Sequence, residues 1–181
     1  MKCRKKISIL AITALVILLA GCSGYLKPDK KNLVVFENSI IKVQKPLNER
    51  SVGSFAKKIN TICDSYLADS DRIFYSVIPD KSFFISDKLE TPFDYNKMTS
   101  ILETDIKKAK YIDIFDCLTL DDYFKTDIHW RQDHLQNVVN RLGESLGFKF
   151  ELSCFVHNSF PNYLGFYSKH ENAAAEELFY L

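Results

Sequence analysis

Short apolar runs alternate with helix-period stretches along the body of this sequence, and that alternation constrains the fold more than any other feature. Residues 33–36 and 40–43 are two β-type runs around Asn38. Residues 51–67 carry Phe55, Ile59, Ile62 and Tyr66 at spacings of four, three and four, which predicts an amphipathic helix packed through that face. Residues 72–78 (Ile73, Phe74, Tyr75, Val77, Ile78) are almost continuously apolar and stop at Pro79, as in a strand covered on both faces. A second helix is expected over 96–109, with Met98, Ile101, Leu102, Ile106 and Ala109 as its stripe, then a strand over 111–115. A third helix over 132–146 presents Leu135, Val138, Val139, Leu142 and Leu146, with Gly147 just past its end, and 148–152 reads as a fourth strand. This order predicts α/β layers with a mostly parallel sheet, whose ligand sites gather beyond the carboxyl ends of the strands.

Composition narrows the partners. The chain has 181 residues, 46% of them hydrophobic, enough for one domain with a core. Its formal net charge is +1, so no electrostatic argument favours a nucleic-acid partner. Cys63, Cys117 and Cys154 lack CxxC spacing and predict neither a zinc site nor a disulfide framework. Three buried thiols are expected, with one bridge plus a free thiol as the alternative.

The N-terminus reads as an address. Lys2, Arg4, Lys5 and Lys6 precede an apolar run over 7–19, too short for a comfortable permanent span. It ends in Leu19-Ala20-Gly21-Cys22, which resembles a bacterial lipobox. The expectation is a signal peptide over 1–21, lipidation of Cys22, a tether over 22–32 and a membrane-anchored, extracytoplasmic domain over 33–181. An ordinary signal peptide or anchor with a chance cysteine is the alternative.

The chemistry concentrates in Tyr123-Phe124-Lys125-Thr126-Asp127-Ile128-His129-Trp130, which holds the only tryptophan. Two residues apart in an extended segment, Asp127 and His129 can share a face. The carboxylate would then hold Nδ1 and leave Nε2 to activate a hydroxyl, as in a hydrolase triad. Trp130 would wall the pocket or stack on a sugar ring. Taken alone, the triplet equally suits an aspartate that caps a turn. His134 is expected on a helix surface, and His157 and His170 in solvated loops. Asp127, His129 and Asp133 as metal ligands would lack a second histidine at helical spacing, and neither metal nor cofactor is expected.

The run from Tyr123 to Trp130, followed by Leu142-Gly143-Glu144-Ser145-Leu146-Gly147, resembles the DHHW family of bacterial extracytoplasmic proteins. Val77-Ile78-Pro79-Asp80-Lys81 and Gly165-Phe166-Tyr167-Ser168-Lys169 look like two further blocks of that family. Ile128 stands where the motif has its first histidine. The Asp-x-His-Trp skeleton is shared with SGNH-hydrolase-like alginate O-acetyltransferases. The resemblance implies a flavodoxin-like α/β/α sandwich and ester chemistry on cell-envelope polysaccharide, with Asp127 and His129 catalytic. Trp130, Tyr167, Ser168 and Lys169 are the expected substrate contacts.

The nucleophile is the gap. The family's serine belongs to a later Gly-Asp-Ser-like turn, and none precedes Leu181. Ser54 opens a helix and Ser168 lies outside any Gly-x-Ser-x-Gly elbow. A truncated esterase or O-acetyltransferase is therefore expected, inactive alone. A non-catalytic glycan-binding envelope lipoprotein is the alternative, and a transporter's substrate-binding lipoprotein a more distant one.

Overall fold

The computed structural model describes residues 24–154, 158–173 and 176–180. The segment expected to be a signal peptide, Cys22 with its expected lipidation, Cys3 and His157 lie outside them. Among the described residues, no helix is long and apolar enough to cross a membrane.

Strands β1 (Leu33–Phe36) and β2 (Ser39–Lys42) form an antiparallel hairpin. Its two-residue turn puts Glu37 and Asn38 at φ 48° and 64°, the left-handed geometry that matches the twist of a tight hairpin. Ile40 and Ile41 are fully buried.

Helix α1 (Glu49–Tyr66) starts at Asn48, whose side chain accepts from Ser51 N. Its buried face differs from expectation. Ala56 is buried and, with Val52 and Ile59, turns toward helix α2 (Tyr95–Asp105), where Leu102, Ile106 and Met98 meet them; Cys63, further along α1, is also buried. Phe55, Ile62 and Tyr66 remain exposed, Tyr66 at 81%. Small residues at the contact let the two helices approach, and the bulky residues beside them are left outside. Asn60 secures the end of α2, donating to Asp105 O and accepting from Lys107 N.

Strands β3 (Phe74–Tyr75) and β4 (Lys110–Tyr111) pair in parallel, Phe74 opposite Lys110 and Tyr75 opposite Tyr111. The expected strands over 72–78 and 111–115 shrink to these two-residue pieces. The segment 73–77 is only half-buried, Ile78 is 56% exposed, and the chain after Tyr111 tightens into a 3-10 turn at Phe115–Cys117. The mixed α/β class is present, with parallel pairing in this pair and in the isolated bridge between Leu26 and Leu89 among the described residues.

The third helix breaks in two. A 3-10 turn spans Gln132–His134 and α3 spans Gln136–Leu146, ending at Gly147 with φ 82°. Residues 148–151 are irregular rather than a strand, and a 3-10 turn follows at Leu152–Cys154. Gln136 replaces a strand partner there, donating to Phe150 O and accepting from Leu152 N. An unforeseen antiparallel hairpin closes the chain, β5 (Asn158–Tyr163) against β6 (Glu176–Tyr180). All three thiols are free; Cys63 and Cys117 are buried, whereas Cys154 is exposed, against expectation.

Candidate active site

The Asp127 loop is a tight turn rather than an extended segment. Tyr123 and Trp130 pair across its base, and Phe124 N donates to His129 O at 3.1 Å. Asp127 Oδ1 accepts from Ile128 N at 2.7 Å and His129 N at 3.0 Å, the side-chain-to-backbone turn that aspartate favours. The same oxygen meets His129 Nδ1 at 2.5 Å. The two side chains therefore meet as the triad reading requires, through a turn that also answers to the capping alternative.

Asp127 is only 4% exposed, and its second oxygen is held from a distant part of the sequence. Oδ2 accepts from the Tyr163 hydroxyl at 2.9 Å and from Phe166 N at 2.7 Å. Gly165 N donates to Thr126 Oγ1, and Tyr167 N to Thr126 O. Burial acts to raise the Asp127 pKa. The backbone N–H groups of Phe166 and His129, the Tyr163 hydroxyl and the His129 ring outweigh it, and the carboxyl sits below its ordinary value. The His129 side chain is 73% exposed, and its Nε2 has no hydrogen-bond partner among the described residues. The imidazole is thus fixed at one nitrogen and open at the other.

The upstream block is stitched to the same loop. Lys81 is buried at 3% exposure and donates to Phe124 O and Lys125 O, and the Tyr123 hydroxyl donates to Pro79 O. Asp80 Oδ2 accepts from the Tyr95 hydroxyl at 2.5 Å and Oδ1 from Ser82 N at 2.8 Å. Buried Tyr167 closes the other side, its ring centroid 5.9 Å from Lys81 Nζ and its hydroxyl pKa pushed by burial up to about 12. All three sequence blocks therefore converge on one place.

They enclose a cleft of about 800 Å³, within the size range of small-ligand pockets. His129, Trp130, Tyr167 and Lys169 line it, as do Ile128, Phe166 and His170. Ser168 does not. It lies exposed in the turn closed by its own N–H to Gly165 O, apart from the expected contacts Trp130, Tyr167 and Lys169 that do line the cleft. Ser54 is exposed on α1 and donates to Arg50 O. His170 is half-buried in the cleft wall rather than solvated. His134 is a partly exposed residue of the 3-10 turn, with Nδ1 3.1 Å from Asp122 Oδ1 and Nε2 3.6 Å from Asp133 Oδ2. Asp133 also takes Arg131, so it is committed away from His129. Sequence reasoning missed Tyr163, Thr126 and the buried role of Lys81. Gly165 directly before an aromatic pair was the one available signal.

No family model matches the sequence, and neither does a curated protein sequence. Solved structures do match in fold. PatB1 of Bacillus cereus superposes with a TM-score of 0.60 at 16% identity, over 82% of this chain and 57% of that one. PatB1 with a sulfonyl adduct gives 0.59 at 17% identity, over 82% and 55%. The chain thus shares the PatB1 fold and spans somewhat over half the length of the PatB1 chains.

Proposed function

We propose that this chain is a DHHW-type, SGNH-like protein that carries the acid–base half of an esterase or O-acetyltransferase acting on cell-envelope polysaccharide. We place it outside the cytoplasm, held to the membrane by lipidated Cys22. The observation that carries the reading is the 2.5 Å contact between Asp127 Oδ1 and His129 Nδ1, at a cleft toward which Nε2 is unengaged. Nε2 would take the proton from a hydroxyl as its oxygen attacks an acyl carbonyl, then return it to the leaving alcohol. Asp127 would hold the ring's tautomer and stabilise the imidazolium. Sulfonylation, seen on PatB1, is a reaction of activated nucleophiles, which supports this chemistry for the shared fold.

Neither Ser54 nor Ser168 is placed to be the nucleophile, so little turnover is expected from this chain alone. The test is hydrolysis of 4-nitrophenyl acetate by this chain and by a longer product of the same reading frame. Activity in the longer product should vanish in Asp127→Ala and in His129→Ala. Full-rate turnover by either variant rules the reading out. Anchoring is tested separately, since Cys22→Ser should release the protein from membranes.

The cleft lining of Trp130, Tyr167 and Lys169 favours a second reading, a glycan-binding module. It predicts polysaccharide retention that survives His129→Ala, without acetate release from either product.

A further inference from the structure

The cleft has a charge pattern that the Asp127–His129 pair does not use. Lys31, Lys42, Lys81 and Lys169 line it together with His170. Asp80 is the one carboxylate among the described lining residues, and both its oxygens are turned to Tyr95 and Ser82. The whole sequence is nearly balanced, with 24 Lys+Arg against 23 Asp+Glu, so this excess of cations is local. Asp29 stands close by but serves the turn before β1, accepting from Lys31 N and Leu33 N, and it does not line the cleft. Lys42 Nζ donates to Lys31 O, a contact that places the ammonium without neutralising it.

We propose that the side of the cleft formed by Lys31, Lys42 and Lys169 is a subsite for a polymer linked by phosphodiesters, a glycan or alditol chain with phosphates along its backbone. This rests on the reading of the cleft as a polysaccharide site. Three features support it. The cations come from three separate segments, which suits charges spaced along a chain better than one compact anion. None of the described lining residues is arginine. The arginine fork serves carboxylate and phosphate alike, so the lysines here act as point charges, a mode in which phosphate is commonly held. Finally, Ile78, Ile128, Trp130 and Phe166 give the same cleft apolar wall for the uncharged skeleton between phosphates.

The test is calorimetric binding to the purified chain at low ionic strength. The probes are a synthetic glycerol-phosphate oligomer, an oligogalacturonate of equal charge and a neutral oligosaccharide. The glycerol-phosphate oligomer should bind tightest and weaken sharply at about 0.5 M salt, where exposed charges are screened. Lys31→Gln and Lys169→Gln should each weaken it about two- to fivefold, and together roughly tenfold. Circular dichroism confirms that these surface variants stay folded. Equal affinity for oligogalacturonate, or unchanged affinity in the double variant, overturns the proposal. So does binding to phosphatidylglycerol vesicles without binding to the oligomer. The assay reads binding and not turnover, so failure of the ester chemistry leaves the subsite standing, and loss of the subsite leaves the Asp127–His129 pair untouched.

Discussion

Gly165 packs directly against Asp127: a Cβ at position 165 would stand 2.5 Å from both Cβ and Oδ2 of the aspartate, and 2.8 Å from Thr126 O. The constraint is space, since the left-handed backbone region is occupied by Gly147 and not by Gly165. Gly165→Ala must therefore push the 163–167 segment away from the loop. Overpacking of this kind costs about 1–3 kcal/mol. Urea unfolding should show a lowered midpoint with an unchanged slope, and an unmoved midpoint would contradict the packing.

Acid should remove part of the stability through Asp127. Its carboxyl is held below the ordinary value in the folded chain. Its contribution is therefore complete above the unfolded value, about 3.9, and drains away as pH falls through the lower folded value. Asp127→Asn cannot accept at both ends and should lose roughly 2 kcal/mol at neutral pH. The gap between the variant and the parent should narrow below about pH 4. Unfolding curves at several pH values decide this, and a gap constant with pH would show that the carboxylate's charge is irrelevant to folding.

Tyr163→Phe deletes one donor to a buried carboxylate and leaves the ring in place. The Asp127 pKa should rise, and stability should fall by about 1.5–3 kcal/mol. Carbon-detected NMR titration of the carboxyl in both proteins measures the shift. A Tyr163 that merely packs would leave the titration where it was.

Tyr75 offers a contrasting case. Its buried hydroxyl has no hydrogen-bond partner among the described residues, its ring lies 5.3 Å from that of Tyr111, and burial pushes its pKa up to about 12. Removing an unsatisfied hydroxyl is cheap. Tyr75→Phe should leave thermal stability unchanged or raise it by up to about 1 kcal/mol, and marked destabilisation would mean that the hydroxyl has a partner.

Three local signals in the sequence were read correctly, and the long-range ones were not. Asn38 announced the hairpin, Gly147 the end of α3, and the Asp127–His129 spacing the central contact, because each depends on a few neighbouring residues. The face of α1 was misread because its apolar arc is wider than one contact. Ranking by bulk selects Phe55 and Tyr66, while close helix approach selects Ala56. Lys81 was invisible as a buried residue because lysine is almost never fully buried unless its ammonium is satisfied, and the satisfying carbonyls lie 43 and 44 residues away. Tyr163 was missed for the same reason, since nothing near it in sequence points to Asp127.

The separation of Tyr163 and Phe166 from Asp127, 36 and 39 residues, also sets an order of events during synthesis. Aspartate and histidine leave the ribosome almost together, yet the groups that govern the acid's proton affinity emerge later. A nascent polypeptide halted short of Tyr163 carries the Asp127–His129 turn and lacks the two donors that hold the second carboxylate oxygen. The aspartate's full set of partners is therefore complete only after residue 166 has been made.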